Sequence, residues 1–325
     1  LLSYQQAVAN KPEFNWFEYT APIPRVLGAQ WLLDYPLHKL IATIDWTPFF
    51  ITWDLVGKYP SIFEDATVGE AARQLFDDAQ AMLEKIVNEQ WLTAKAAFGF
   101  WPANQVDDDD IQLFADEHRS EPLAKLHQLR QQQQTNAGKP NLSLADFIAP
   151  LNSNVVDYIG AFVVTVDQTP GKQSTEAFEA AGDDYSSIMM KALADRLVES
   201  FAEHLHLRVR TEYWGYAEDE NLGNDELIRE KYRGVRPAPG YPACPDHSEK
   251  ATIFKLLEAE QKLGVTLTES FAMHPAASVS GLYFSHPNSQ YFGIKKIGED
   301  QLQSLAARKG QTGPALQKWL RPLLD

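Results

Sequence analysis

Apolar residues in two long segments of the chain recur every three or four positions, which is the spacing of an amphipathic α-helix. The first segment, residues 69–90, carries Ala72, Leu75, Phe76, Ala79, Met82, Leu83, Ile86 and Val87. The second, residues 183–210, carries Tyr185, Met189, Leu193, Leu197, Phe201 and Leu205. Residues with this spacing share one side of a helix, so we predict two long helices that each pack one face on a core. Two shorter helices are predicted near residues 299–309 and 314–322.

Shorter apolar runs, rich in β-branched and aromatic residues, indicate strands. Residues 158–166 predict a buried strand, and residues 98–101 and 111–114 predict an antiparallel pair. The four carboxylates Asp107–Asp110 lie between the members of that pair. A calcium loop is one interpretation of such an acidic run, but the Gly and the distal Glu of an EF-hand loop are missing. We therefore expect a solvated turn.

The remaining pattern decides the fold class. Residues 280–285 and 291–297 flank His286-Pro-Asn-Ser289 and predict a β-hairpin. Arg130–Gln134, followed by Asn136, indicates a helix end running into a loop. Long helices and hairpin-type strands without regular strand–helix alternation predict an α+β fold. Because no Pro- or Gly-rich linker divides residues 1–325, we expect a single large domain, with a twisted antiparallel sheet flanked by long helices.

Charge and composition narrow the classes of function. The 325 residues include 29 Lys and Arg against 44 Asp and Glu, a formal net charge of −15. Such an acidic chain lacks the basic surface that binds nucleic acid or an anionic membrane, so neither is expected as a partner. No signal peptide or membrane-spanning stretch is evident, which indicates a soluble, cytoplasmic protein. The chain begins at Leu1 without an initiator Met, which we interpret as a cut from a longer polypeptide.

The sequence lacks the common catalytic and nucleotide-binding motifs. There is no Gly-x-Gly-x-x-Gly, no phosphate-binding Gly-rich loop and no Gly-x-Ser-x-Gly. The single cysteine, Cys244, excludes internal disulfides and multi-cysteine metal sites. Cys244 and His247 are spaced like two metal ligands, but two ligands do not complete a zinc site. His204 and His206 would point to different sides of a helix. We therefore predict no catalytic residue and no metal site in this chain.

The least regular segment is residues 233–245, in which four prolines and two glycines predict a rigid loop. Arg236, near its start, has the planar fork that binds a carboxylate through two hydrogen bonds. Tyr241 offers a ring for stacking or a hydroxyl for hydrogen bonding. The alternative is a surface loop held by a salt-bridged arginine, and the residues alone leave both interpretations open.

Three carboxylates elsewhere have two interpretations each. Asp45 lies among aromatic residues, where it would need a cationic partner. It could equally cap a helix that begins near Pro48, which is the simpler interpretation. Glu199 lies at the edge of the apolar face of the second long helix, and Glu230 lies six residues before Arg236. For each glutamate, a solvated or salt-bridged charge is the simpler interpretation.

Five motifs follow one another between about residue 14 and the C-terminus. They are Asp45-Trp-Thr-Pro-Phe-Phe50, Tyr213-Trp-Gly-Tyr-Ala217, Arg236-Pro-Ala-Pro-Gly-Tyr-Pro-Ala-Cys-Pro245 with Glu249-Lys-Ala-Thr-Ile253 behind it, Leu267-Thr-Glu-Ser-Phe-Ala-Met273, and Ser278-Val-Ser-Gly281 before Tyr283-Phe-Ser-His-Pro287. In this order they resemble the activation domain of cobalamin-dependent methionine synthase. The resemblance implies that residues 1–325 are the S-adenosylmethionine-binding activation domain, a C-terminal fragment of a longer multidomain chain.

The resemblance also implies roles for the polar residues in binding S-adenosylmethionine. Arg236 would hold the carboxylate of this ligand. Asp45, with Glu199 and Glu230 nearby, would balance its ammonium and sulfonium charges. The other matching positions are the backbone of Ala238 and Gly240, the ring of Tyr241, and the pair Tyr291 and Phe292.

Three residues depart from the family's pattern. Phe292 lacks the hydroxyl of the family's Tyr-Tyr pair, so a hydroxyl contact at this position is not expected. His274 stands where a larger aromatic residue is expected, and Ala276 stands where Gly is expected. Both changes concern local shape more than function.

The family's reaction is the rescue of oxidised cofactor in a methyltransferase that makes methionine from 5-methyltetrahydrofolate and homocysteine. Cobalamin is carried by a neighbouring domain of the same chain, and zinc is expected only elsewhere in the full-length enzyme. One electron from flavodoxin or a related flavoprotein, and the methyl group of S-adenosylmethionine, convert inactive cob(II)alamin into methylcobalamin. We expect the fragment alone to have no turnover.

Two alternatives to this function stay open. The first is a non-catalytic module that docks on or caps a corrinoid protein and its flavodoxin-type reductase. The second is an independent small-molecule methyltransferase, which the missing Gly-rich nucleotide loop disfavours.

Overall fold

A computed structural model of the chain describes residues 1–134 and 138–324. The helices are α1 (Tyr4–Ala9), α2 (Thr47–Thr52), α3 (Gly69–Glu89), α4 (Thr175–Ala180), α5 (Asp184–Arg208), α6 (Asn224–Ile228), α7 (Glu249–Leu257), α8 (Ala259–Leu263), α9 (Glu299–Lys309) and α10 (Gly313–Leu320). The strands are β1 (Gly28–Tyr35), β2 (Leu92–Val106), β3 (Asp110–Phe114), β4 (Pro122–His127), β5 (Asp157–Gln168), β6 (Thr266–Leu267), β7 (Met273–His274) and β8 (Ser278–Tyr283).

Six of these strands form one antiparallel sheet in the order β4-β3-β2-β5-β8, with β1 also paired to β2. The long strand β2 pairs with β5 from Leu92 to Ala103 and with β3 at its far end. Strands β6 and β7 form a separate two-stranded ladder. The α+β class with an antiparallel sheet is thereby confirmed, and no helix within the described residues is long and apolar enough to cross a membrane.

Both faces of the sheet are covered because successive strand residues point to opposite sides. On one face, Phe98 and Phe162 join a core that includes α3 and α5. On the other, Ala97 and Val163 join a core that includes α7 and α8. Burial on both faces explains why β5 is a continuous apolar run instead of an alternating one. The two long helices predicted from periodicity are confirmed within two residues at each end, and the C-terminal pair appears as α9 and α10.

The predicted hairpin is wrong in its second half. Residues 291–297 form no strand, because the free edge of β8 is already occupied by the Pro-rich loop. Val235 exchanges backbone hydrogen bonds with Phe284, and the Leu282 N–H donates to the Pro237 carbonyl at 2.9 Å. The segment 291–297 runs instead along the outer side of that loop, where the Ile294 N–H donates to Pro242.

The acidic turn Asp107–Asp110 is solvated only in its first half. Its first two residues are exposed and lie in the left-handed region, with φ of 48° and 61°. The last two are fully buried, and Asp109 accepts a hydrogen bond from Arg130 while Asp110 accepts one from Arg308. Both arginines lie later in the chain than the turn, so the acidic run alone could not predict that they bind its last two carboxylates.

The run Arg130–Gln134 was also misassigned as a helix end. It follows β4 and continues as an extended loop. The side chain of Gln132 bonds to Leu2 and Asp300, and therefore joins both ends of the chain. Asn136 lies outside the described residues.

Candidate functional site

A cleft of about 330 Å³ lies between α2, the middle of α5, the end of α6 and the start of the Pro-rich loop. Four of the nine predicted site residues line it: Asp45, Glu199, Glu230 and Arg236. Larger depressions exist, including one of about 550 Å³ beside Lys11 and Asn152, but no predicted site residue lines that one. The four residues come from segments far apart in the chain, and the fold brings them together.

The position of Arg236 follows from backbone pairing on both sides of it. Val235 and Pro237 are bonded to the edge of β8 and are buried. Since alternate residues of an extended segment point to opposite faces, Arg236 points the other way, toward α5. Gly281 of β8 makes this pairing possible, because a Cβ there would lie 2.8 Å from the Pro237 carbonyl oxygen.

The guanidinium of Arg236 is held by three side chains. Nη2 donates to Glu203 Oε2 at 2.7 Å, and Nη1 donates to the hydroxyl of Tyr232 at 2.7 Å. Nη1 also lies 3.1 Å from Nδ1 of His206. Burial, the largest single influence, disfavours the charge on Arg236. Interactions with Glu203, Tyr232 and Tyr291 together outweigh that cost and raise the pKa of the guanidinium. About 20% of the side chain stays exposed to the cleft.

Asp45 lies just before α2 and also lines the cleft. Its Oδ1 accepts a hydrogen bond from the Thr47 N–H at 3.0 Å, at the first turn of α2, where Pro48 follows. The same half-buried side chain lines the cleft. Stabilising a helix start and facing the cleft are therefore compatible here.

The two predicted glutamates enter the cleft differently. Glu199 is an exposed residue of α5. Glu230 follows α6 with a φ of 54°, and burial raises the pKa of its carboxyl, while Arg236 opposes this rise and Glu203 adds to it. With Asp45 and Glu203, the lining has four carboxylates against two guanidinium groups. The cleft is thus suited to a ligand with net positive charge.

The other five predicted residues do not line the cleft. Tyr291 lies nearest, since its hydroxyl accepts a hydrogen bond from the Arg236 N–H at 3.0 Å. Ala238 and Gly240 form a tight turn whose backbone bonds internally, and Tyr241 is 64% exposed. Phe292 packs against two apolar clusters of the core.

The chain is similar to a known family and to a solved structure. A family model described as vitamin B12 dependent methionine synthase, activation domain, matches residues 36–310. The chain belongs to this family. A solved structure described as the MetH reactivation domain bound to AdoHcy is 51% identical, with a TM-score of 0.94. The match covers 99% of this chain and 98% of that one, and the resemblance carried by the five motifs is confirmed.

Within this activation domain, two further residues that the sequence did not predict line the cleft, Arg196 and Glu203. His206, also not predicted, lies fully buried beside Arg236. A signal was present in the sequence, because Glu199, Glu203 and His206 follow the i, i+4, i+7 spacing of one helix face. The spacing that predicts apolar stripes therefore also places these three polar residues on one face of α5.

The departures of the activation domain from its family pattern lie off the cleft. His274 and Ala276 are exposed, near the β6–β7 ladder. Cys244 is buried while His247 is exposed, and the imidazole of His247 hydrogen-bonds to Lys250. Among residues 1–134 and 138–324, no three His, Cys, Asp or Glu side chains group as metal ligands.

Proposed function

We propose that residues 1–325 form the S-adenosylmethionine-binding reactivation module of a cobalamin-dependent methionine synthase. The observation that carries this proposal is the charge pattern of the cleft. Arg236, which has free donors, stands among carboxylates contributed by the segment before α2, by α5 and by the segment after α6. The match to a domain crystallised with AdoHcy supports the same ligand class, since AdoHcy is what S-adenosylmethionine becomes when it loses its methyl group.

The ligand's charged groups suit the lining residues. Arg236 would bind the carboxylate through its planar fork. Asp45, Glu199 and Glu230 would offset the positive charges of the ammonium and sulfonium groups. Binding such a ligand would explain why carboxylates outnumber guanidinium groups in the cleft. The volume of about 330 Å³ lies within the range of about 300–1,000 Å³ that small-molecule sites occupy.

The remaining site residues would act around the mouth of the cleft. The backbone of Ala238 and Gly240 and the ring of Tyr241 would contact the ligand from the Pro-rich loop when the ligand is bound. Tyr291 would hold the Arg236 backbone through its hydroxyl. Phe292 would support Tyr291 from the core side, in keeping with its apolar surroundings.

The reaction belongs to the whole enzyme, a methyltransferase that acts on 5-methyltetrahydrofolate and homocysteine in the cytoplasm. Cobalamin on a neighbouring domain of the same chain would supply the metal that accepts the methyl group, while flavodoxin or a related flavoprotein would supply the electron. Zinc would be held elsewhere. The described residues contribute ligand binding and orientation, so the isolated domain is expected to show no turnover.

Calorimetric titration of the isolated domain with S-adenosylmethionine tests the proposal. We expect saturable binding that AdoHcy competes for, and weaker binding at high salt because charges dominate the cleft. Glu212→Ala is a matched control, since it removes a carboxylate that follows α5, is paired with Arg208 and does not line the cleft. No heat and no competition at millimolar ligand would instead favour the docking and capping module.

A further inference from the structure

We propose that Glu203 is a positioning residue, which fixes the guanidinium of Arg236 so that its remaining N–H donors are aimed at the ligand's carboxylate. Tyr232 and the neutral imidazole of His206 complete this support. The inference rests on the proposed function, because it concerns how that ligand is bound.

The geometry divides the donors of Arg236 into two groups. An arginine side chain has five N–H donors. Nη1 is engaged by Tyr232 and His206, and Nη2 by Glu203. Among the described residues, Nε and the second hydrogen of Nη2 have no hydrogen-bond partner. Two donors are therefore left, which is the number a carboxylate accepts in a paired arrangement.

The supporting residues are themselves fixed. The guanidinium of Arg210 lies 3.8 Å from the ring centre of Tyr232 and is bound through two of its nitrogens to Glu220. The ring of Tyr232 is thus held in place by Arg210, while its hydroxyl accepts a hydrogen bond from Arg236. A side chain locked in this way loses less conformational freedom on binding than a free arginine would.

His206 supports Arg236 as an acceptor. It is fully buried, and burial with the nearby charges of Arg210 and Arg236 holds the pKa of its imidazole well below the ordinary value. A neutral imidazole that faces an arginine N–H must present a lone pair there. The proton is therefore assigned to Nε2, and Nδ1 accepts the hydrogen bond from Arg236.

The surroundings of Glu203 indicate that it holds Arg236 and does not contact the ligand itself. Only about 10% of its side chain is exposed, and Oε2 points at Nη2 of Arg236. Oε1 is buried without a partner among the described residues. A glutamine at this position would keep the acceptor oxygen and replace Oε1 by an amide nitrogen of the same size.

A comparison of two ligands isolates the role of Glu203. S-adenosylmethionine and its decarboxylated analogue share the adenosyl, sulfonium and ammonium groups but differ in the carboxylate. Calorimetry of the folded domain would measure both ligands with Glu203→Ala, Glu203→Gln, Arg236→Ala and the wild type. We expect Glu203→Ala to weaken S-adenosylmethionine about tenfold, the scale of one charge-assisted hydrogen bond, and to change the analogue less than about twofold.

The conservative variant and the wild type complete the test. Glu203→Gln should bind S-adenosylmethionine within about threefold of the wild type, since the acceptor oxygen is retained. Equal losses of both ligands in Glu203→Ala would mean that Glu203 acts on the cationic groups or on folding, and would overturn the inference. So would unchanged affinity for both. Failure of the wild type to bind S-adenosylmethionine would overturn the proposed function itself.

Discussion

Arg130 and Arg236 both bind carboxylates, yet one is closed into the protein and the other is open to a ligand. The side chain of Arg130 has no exposed surface, and its Nη atoms donate to Asp109 and Asp146 at distances of 2.6–2.9 Å. Arg236 keeps about 20% of its side chain exposed and is bound to a single carboxylate, Glu203. The two environments therefore differ in how many donors are still available.

The difference shows what separates a structural arginine from a binding one. Around Arg130 two carboxylates and the Asn141 carbonyl use the donors of both Nη atoms. Burial raises the pKa of the Asp146 carboxyl, while Arg130 opposes the rise. Only Nε of Arg130 is left without a partner among the described residues, and it is buried. Arg236 donates three of its five N–H groups to described residues, and its side chain is partly exposed in the cleft. The number of nearby carboxylates is thus less informative than the number of unsatisfied donors that face a cleft.

The largest expected effect is on the closed site. Arg130→Met should lower the free energy of unfolding by about 3–5 kcal/mol, because it leaves two buried carboxylates without their counter-charge. Urea denaturation measures this loss. Arg236→Met is the matched variant and should lose less stability, since its partner Glu203 lines the cleft and can be hydrated. Equal losses in the two variants would remove the distinction between the sites.

A smaller effect is expected on binding at the open site. Arg236→Ala should weaken S-adenosylmethionine binding by about 1.5–3 kcal/mol, the value for a hydrogen bond to a charged group. Calorimetric titration of the folded variant measures it. Arg229→Ala removes an exposed arginine outside the cleft lining and serves as the control. Unchanged affinity in folded Arg236→Ala would mean that the ligand's carboxylate lies elsewhere.

A still smaller effect is expected on the pH dependence of stability, because a buried histidine, His206, lies beside Arg236. The pKa of His206 is held well below its ordinary value of 6.5 by burial and by Arg210 and Arg236. As pH falls below about 6.5, His206 becomes protonated in the unfolded chain but stays neutral in the folded protein. The unfolded state is thereby stabilised relative to the folded state, so the free energy of unfolding decreases. His206→Gln should flatten this decrease between about pH 7.5 and 5.5.

Urea denaturation across that range measures the slope. His286 also has a lowered pKa, about 4, because of burial and Arg233, and contributes to the wild-type slope. The difference between wild type and His206→Gln isolates His206. Identical slopes would contradict a neutral imidazole beside Arg236.

The smallest effect concerns the exposed half of the acidic turn that also supplies Asp109. Asp108→Asn should change the free energy of unfolding by less than about 0.5 kcal/mol, because its pair with Lys11 is exposed on both sides and Asn also tolerates the left-handed backbone at this position. Asp109→Asn is the matched variant and should cost several times more, since it removes the charge of a buried partner of Arg130. Similar values for the two positions would contradict the division of the turn into solvated and buried halves.

Local patterns in the sequence were sufficient for the elements whose burial is regular. Helices α3 and α5 were predicted because their apolar residues follow one period over many positions. Strand β5 was predicted because it is a continuous run rich in β-branched and aromatic residues. The hairpin at residues 280–297 failed because the partner of β8 is the Pro-rich loop, which lies earlier in the chain. Whether the edge of a strand is free to pair depends on residues far away in the chain. A local sequence pattern therefore cannot predict it.

The predicted site illustrates the same limit. Arg236, Asp45, Glu199 and Glu230 were named through motif resemblance, and each alone was equally consistent with a surface charge. Their shared cleft depends on β8, α5 and α2 packing together.

The sequence by itself therefore determined the α+β class, the long helices, the central strand and the family. Only the tertiary structure decided that Glu203 and His206 hold Arg236, and that Asp109 is buried against Arg130. The physical reason is that the energy of a charge depends on its solvent exposure and its partners. Both are set by contacts between residues far apart in the chain.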